Sequence, residues 1–324
     1  MNNLPRWAQI GGSIALCILL FLFGFFGLMP RKSLGRIVDA QLEKATSFRY
    51  DVHVDSAALT GLSSASVQSI QLQSRASAID GISPGVATID RARVGAGLFS
   101  LLRQKPSIRS RIDFPSGTMR VYATVDKKSL SNLEIQFHDV DLADIGILRD
   151  TLKMPLLGTV RGTITGTTND EGVIATGNVD LNILGARVGP RRITAADLPE
   201  DVRRIFAGEI VIPAVNAGDL LLRGNIEDGV LTITEFEGQG PDLRLGGDGQ
   251  IHLRSPITTS DLQLALNVAI DARWVEEAQI GGILSSVPMI ANAQQDDKLV
   301  FNLGGTLGRP RVISGTGSRR RTGR

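Results

Sequence analysis

The sequence predicts a mainly β protein in which one N-terminal transmembrane helix precedes a curved, mostly antiparallel β-sheet with a few short helices. Three observations support this prediction. No charged residue occurs between Arg6 and Arg31, short runs of alternating polar and apolar residues follow from Phe48 onward, and the chain contains 36 glycines. Alternation with a period of two is typical of strands with one apolar face. Glycine permits the turns, bulges and tight bends of a curved sheet.

The uncharged N-terminal stretch is long enough to cross a bilayer. As a helix, residues 7–29 would span about 34 Å, which exceeds a hydrocarbon core of about 30 Å. We therefore predict a transmembrane helix at 7–29 after a cytoplasmic N-terminus at 1–6. A cleaved signal peptide is the alternative, but residues 28–30 (Leu-Met-Pro) offer no small-residue cleavage site. The basic residues within 31–36 outweigh Arg6, so charge alone favours a cytoplasmic body.

The body contains two β-hairpins that turn residues identify. Alternating runs at 158–168 and 173–184 flank the polar turn 169–172, and a second pair of runs flanks Asp228-Gly229. Such dipeptides between alternating runs are typical of hairpin turns. Helical periodicity predicts three short helices, at 33–47, 197–206 and 271–287.

The clearest alternation lies in residues 242–270, where two predicted strands each have one apolar and one polar face. The closing run near residue 301 continues the pattern. The apolar face could be covered by a second sheet, enclosed in a barrel, or left accessible in a trough, and the alternation is compatible with all three. The predicted apolar groove consists of Leu243, Leu245, Ile251, Leu253, Leu262, Leu264, Leu266, Val268, Ile270, Phe301 and Leu303.

The distribution of charge argues against a nucleic-acid partner. The net charge is +2, but seven of the 35 basic residues lie at the two ends, which leaves 28 basic against 33 acidic residues in the body. A body of that sign is a poor binder of polyanions. The glycine- and arginine-rich tail, 314–324, is predicted to be disordered.

The sequence contains no recognisable catalytic or metal-binding motif. G-x-S-x-G, H-E-x-x-H and C-x-x-C are absent, and the three histidines, His53, His138 and His252, lie in separate runs. Cys17 is the single cysteine, so no intramolecular disulfide can form. We therefore predict no catalytic residue, no cofactor and no metal, and a protein that is not an enzyme.

Several runs of the body resemble the AsmA-like proteins. The run "RIVDAQLEKATSFRYDVHVDSAALTGLSSASVQSIQL" after a membrane helix is similar to their entry pattern, and "ATIDRARVGAGLFSLLRQKPSIRSRIDFPSGTMRVYA" is similar to their next unit. The runs "LRLGGDGQIHLRSPITTSDLQLALNVAI" and "FNLGGTLGRPRV" most resemble one branch, the type II secretion system protein N (GspN) family in its membrane-anchored AsmA-like form. The resemblance covers most of the chain from Leu34 to Val312.

The resemblance implies a location and a role. It implies an inner-membrane anchor of a Gram-negative bacterium, a periplasmic β domain at 33–313, and a curved sheet with an apolar inner face. This implied location overrides the orientation that charge favours. The implied role is that of a non-catalytic accessory component of the type II secretion system, in contact with other secretion components. The alternative is an AsmA-like lipid-binding or lipid-transfer module of the cell envelope, with acyl chains in the groove.

Overall fold

The fold is known here from a computed structural model, which describes part of the chain. The predicted N-terminus (1–6), transmembrane helix (7–29), helix 197–206 and tail (314–324) lie outside the described residues, as does the helix predicted at 33–47 apart from Asp39. No helix within the described residues combines the length and the hydropathy needed to cross a membrane. The described residues are 39, 50–61, 63–75, 86–97, 106–126, 129–145, 154–193, 210–255, 257–277, 293–295 and 298–313.

Most of the described residues form β-strands, as the alternation predicts. Each predicted hairpin is present, and the predicted helix at 271–287 is described only over its first turns, as α1 (Ala272–Glu277). The strands are β1 (Tyr50–Gly61), β2 (Ser64–Ser74), β3 (Val86–Ala96), β4 (Ser107–Asp113), β5 (Thr118–Asp126), β6 (Ser129–Asp141), β7 (Leu156–Thr168), β8 (Ile174–Val188), β9 (Arg191–Ile193), β10 (Ile210–Ile212), β11 (Val215–Glu227), β12 (Val230–Gln239), β13 (Leu243–His252), β14 (Asp261–Ile270), β15 (Gln294–Gln295), β16 (Lys298–Thr306) and β17 (Arg309–Ile313).

The strands form one large antiparallel sheet in nearly sequential order. Strands β1 to β8 pair with their chain neighbours, β11 follows β8, and β12, β13, β14 and β16 follow in turn. Both β15 and β17 pair with β16, while β9 and β10 form a separate two-stranded ladder. Within the described residues β1 does not pair with β15 or β17, so this sheet is open and is not a closed barrel.

One face of this sheet is apolar from β5 to β16. In an antiparallel sheet, residues directly opposite each other on neighbouring strands have side chains on the same face. Val121 on β5 lies opposite Ile135, which lies opposite Ile164, which in turn lies opposite Val179 on β8. The main cluster of buried side chains lies on this face and consists of Val179, Ile226, Leu231, Ile233, Ile251 and Leu262.

Bulges shift the phase of the alternation at several points. In β12, Ile233 lies opposite Gly224, but the next inward residue is Phe236, because one extra residue is inserted on β12 at this point. In β6 a similar shift at Asp139, whose φ is 55°, leaves Phe137 and Val140 on the same face. A bulge adds an unpaired residue and so reverses the parity beyond it. The alternation that the sequence shows from Phe48 onward therefore keeps a constant parity only between bulges.

The opposite face is polar and carries cross-strand ion pairs. Arg223 on β11 lies 2.8 Å from Glu235 on β12 and 3.6 Å from Asp180 on β8. These side chains are largely exposed, so the pairs contribute little stability. Their importance is that they mark the solvent side of the sheet.

Candidate functional site: an apolar groove

A cavity of about 350 Å³ lies against the apolar face between β11 and β17. Its volume is within the range of pockets that bind small molecules, about 300–1,000 Å³. Its walls are almost entirely aliphatic. The lining residues are Leu222, Ile233, Phe236, Gly247, Asp248, Ile251, Leu262, Leu264, Leu266, Leu303, Leu307 and Pro310.

The pairing of β13, β14 and β16 places the predicted groove residues on one face. Leu245 lies opposite Val268, and Leu266 lies opposite Phe301. The same register holds for the rows that contain Leu243, Ile251 and Leu303. Leu253 follows the end of β13 and packs against the same buried cluster. All eleven predicted residues are therefore brought to the same side of the sheet.

The cavity itself uses fewer of these residues than the sequence predicts. Five of the eleven line it: Ile251, Leu262, Leu264, Leu266 and Leu303. The other six continue the apolar face beyond the cavity lining. They are Leu243, Leu245, Leu253, Val268, Ile270 and Phe301.

Five aliphatic or aromatic residues of the lining were missed by the sequence prediction. Leu222 and Ile233 belong to alternating runs of their own hairpin. A prediction that this hairpin pairs with β13 would have placed both residues in the groove. Phe236 has the wrong parity for simple alternation because of the bulge that precedes it. Leu307 and Pro310 lie at and after the last turn, where no alternation exists to be followed.

The cavity shows that the sheet curls toward its apolar face. Strands lie about 4.8 Å apart, so in a flat sheet β11 and β17 would be separated by about 24 Å. Leu222 on β11 and Pro310 on β17 nevertheless line the same cavity of about 350 Å³. The apolar face is therefore concave here, and the described sheet forms a trough with its aliphatic side chains inside.

Two glycines on β13 permit the close approach of β14 and its leucines. Gly249 lies opposite Leu264 and Gly247 lies opposite Leu266. A Cβ at Gly249 would lie 2.7 Å from the Cα of Leu264, and a Cβ at Gly247 would lie 2.8 Å from Cδ2 of Leu266. The closest atoms to such Cβ atoms are backbone oxygens of β14, that of Gln263 for Gly249 and that of Ala265 for Gly247, so a side chain at either glycine would collide with the β14 backbone as well as with the leucines.

A small hydrogen-bonded cluster fixes one end of the groove. Ser260 is fully buried, and its Oγ accepts a hydrogen bond of 3.0 Å from the backbone N–H of Arg254. The Leu307 N–H donates to the backbone oxygen of Ser260 at 2.9 Å, and the Gly308 N–H donates to that of Thr258 at 2.8 Å. The β16–β17 turn is thereby held against residues 257–260, which positions Leu307 in the cavity wall.

The chemistry of the groove is that of apolar binding. Asp248 is the one ionisable residue in the lining, and its side chain is exposed. Nine of the eleven predicted groove residues are only half-buried, and only Ile251 and Leu262 are buried. A trough of half-covered aliphatic side chains can bind another apolar surface or chain, because water is released from both.

The histidines lie apart from one another and from the groove lining. His53 Nε2 is 3.4 Å from Asp55 on β1, and both of these side chains are exposed, while His138 is 3.4 Å from the side-chain oxygen of Gln136. His252 lies opposite Asp261. Within the described ranges, no group of three histidine, cysteine or carboxylate residues could hold a metal ion.

Comparison with known proteins identifies no relative of this chain. No protein-family model, no curated protein and no solved structure matches it. The resemblance to the GspN and AsmA-like families therefore stays a prediction from the sequence patterns.

Proposed function

We propose that this protein is an inner-membrane-anchored, periplasmic accessory component of the type II secretion system, and that it has no catalytic activity. The observation that carries the proposal is the open sheet whose apolar face extends from β5 to β16 and curls into a trough between β11 and β17. A sheet of this kind supplies an extended surface for binding. The resemblance of four sequence runs to the membrane-anchored GspN form supports the specific role, and residues 7–29 supply the proposed anchor.

A deletion in the native host tests this role. Without the gene, exported enzymes should be synthesised normally but should accumulate inside the cell envelope. The wild-type gene should restore export, whereas Leu266→Asp, which places a charge in the groove, should restore it poorly. Asn267→Asp is the matched control, because it adds the same charge on the polar face one residue away. Unchanged export in the deletion strain would contradict the proposal.

The cavity favours a second candidate function, the binding of lipid acyl chains by an AsmA-like module. An acyl chain in the groove would gain about 0.8 kcal/mol for each methylene removed from water. The lining offers the chain apolar contacts from six strands, and its one ionisable residue, Asp248, is exposed. The described trough is open, so part of a lipid could project from it.

Site-specific crosslinking in cells distinguishes this candidate from the first. A photoreactive residue in place of Leu266 should capture lipid, whereas the same residue in place of Asn267 should not. The two positions are adjacent, and they project from opposite faces. Equal lipid capture from both positions, or capture from neither, would exclude an acyl chain in the groove while leaving a secretion role open.

A further inference from the structure

The polar face of β3, β4 and β5 carries a concentration of arginines that the net charge conceals. These three strands contain five arginines and no lysine, together with Asp90, Asp113 and Asp126. In strands β7, β8, β11–β14 and β16 of the same sheet, acidic residues outnumber basic ones. The five arginines, named here the arginine patch, are Arg91, Arg93, Arg109, Arg111 and Arg120.

Three of these arginines form a row across the sheet. Arg93 lies directly opposite Arg111, and Arg111 lies directly opposite Arg120. Like charges at directly opposed positions destabilise a sheet. The chain therefore retains an arrangement that costs stability, which is typical of a surface selected for binding.

The patch has few internal counter-charges. Arg111 Nε lies 2.7 Å from Asp113, and this is the one ion pair that any of the five makes with the described residues. Arg93, Arg109 and Arg111 are exposed. Guanidinium groups without carboxylate partners are available for external anions, and they bind phosphate oxygens in a bidentate geometry.

The geometry of the patch favours an extended anionic surface over a single small anion. The segments of β3, β4 and β5 that carry the arginines are paired on both sides, so their backbone N–H groups are used within the sheet. A small phosphate would thus find no backbone donors of the kind that line phosphate-binding loops. Tyr122 lies on the same face, opposite Arg109, and tyrosine is enriched where proteins meet lipid headgroups.

We propose that the arginine patch docks on a membrane surface that carries anionic phospholipid headgroups. The arginines lie on the face opposite to the apolar groove. Ile112 and Val121 belong to the apolar face, and Arg111 and Arg120, which directly precede them in the chain, therefore point to the other face. Docking through the patch would therefore leave the groove unobstructed. The inference rests on the described strands and is independent of the role in secretion.

Binding of the full-length chain to vesicles tests the proposal. The protein is held in a phosphatidylcholine nanodisc, which accommodates residues 7–29, and is mixed with separate phosphatidylcholine vesicles prepared with or without phosphatidylglycerol. Flotation should recover the protein with the anionic vesicles only, and added salt should weaken the binding. Each basic residue near such a surface contributes about a fivefold factor in partitioning, so Arg93→Gln/Arg111→Gln/Arg120→Gln should lower it about 100-fold.

Matched variants separate the patch from charge in general. Arg187→Gln/Arg244→Gln/Arg311→Gln removes the same charge from exposed arginines of other strands and should leave partitioning unchanged. Arg93→Lys/Arg111→Lys/Arg120→Lys keeps the charge and should keep most of the binding, which also controls for misfolding of the glutamine variant. The basic tail is identical in all variants.

Three outcomes would overturn the proposal. The first is equal flotation of the wild-type protein and the glutamine variant. The second is equal recovery of the wild-type protein with neutral and anionic vesicles. The third is release of the wild-type protein by inorganic phosphate at an ionic strength where sodium chloride has no effect, since that result would identify a discrete phosphate site.

Discussion

Ile251 on β13 lies directly opposite Leu262 on β14, and both side chains are buried on the apolar face, with 9% and 5% of their surfaces exposed. Along β14 the same face continues with Leu264 and Leu266, which are only half-buried. The groove is therefore densely packed at the end near Ser260 and more accessible toward Leu266. A ligand or partner would gain most contact at the accessible end.

The two faces of β14 should respond differently to the same charge. Leu266→Asp places a carboxylate in the apolar groove, opposite Phe301, and should lower the free energy of unfolding by about 2–4 kcal/mol. Asn267→Asp adds the same charge on the exposed polar face and should change it by less than about 0.5 kcal/mol. Urea unfolding of the full-length protein in detergent measures both. Equal destabilisation would contradict the assignment of faces.

Sequence patterns predicted the strands and the face better than they predicted the cavity. The rows through Leu245 and Leu264 followed from alternation alone, because β13 and β14 pair without a bulge. Phe236 could not be assigned in this way, since its orientation depends on the bulge in β12. The curling of the sheet depends on strands β11 to β17 together. That Leu222 and Pro310 line the same cavity is therefore a property of the tertiary structure, which alternation within single strands does not predict.

The arginine patch shows a second limit of sequence reasoning. The excess of acidic over basic residues in the body argued against binding to polyanions. Net charge, however, averages over the arginine-rich strands β3–β5 and over the strands β7, β8, β11–β14 and β16, in which acidic residues outnumber basic ones. The alternating arginines of "DRARV" and "SIRSRID" were a visible signal. Only the register that aligns Arg93 with Arg111 converts them into a continuous surface.

The bulge at Gly218 should be intolerant of any side chain. Gly218 has a φ of +68°, and a Cβ there would lie 2.4 Å from the backbone oxygen of Gln239. Gly172 has a φ of +77° with no atom within 4 Å of such a Cβ. Gly172→Ala should therefore cost about 1 kcal/mol for the backbone conformation alone, and Gly218→Ala about 2–3 kcal/mol more for the clash. Thermal unfolding of both variants provides the comparison, and similar losses would exclude the clash.

Asp113 should make stability depend on pH in the acid range. Partial burial acts to raise the pKa of Asp113, but the hydrogen bond from Arg111, the charges of Arg111 and Arg93, and the Thr118 hydroxyl outweigh it and lower this pKa below its ordinary value of 3.8. A lowered pKa means that the ionised carboxylate stabilises the fold. This contribution is complete above pH 3.8 and is lost as the pH falls through the lower, folded-state pKa.

Comparison with Asp113→Asn isolates that contribution. The wild-type protein should be the more stable of the two at neutral pH, and the difference should shrink as the pH falls below 3.8. Asp90→Asn, at an exposed aspartate on the neighbouring strand, is the control for general loss of negative charge. Urea unfolding across the acid range measures the difference, and a gap between wild type and Asp113→Asn that grows on acidification would contradict the assignment.

Ser260 should stabilise the packed end of the groove through one hydrogen bond. Ser260→Ala removes the acceptor of the Arg254 N–H, which lies 3.0 Å from the hydroxyl oxygen, and should lower the free energy of unfolding by about 1–3 kcal/mol. The bond from Leu307 to the Ser260 backbone does not involve the hydroxyl, so the β16–β17 turn should stay in place. Hydrogen exchange should therefore accelerate at the Arg254 amide and not at that of Leu307. Ser255→Ala, at an exposed serine beside Arg254, should leave both amides unchanged, and an unaltered Arg254 exchange rate in Ser260→Ala would show that the hydroxyl does not protect this amide.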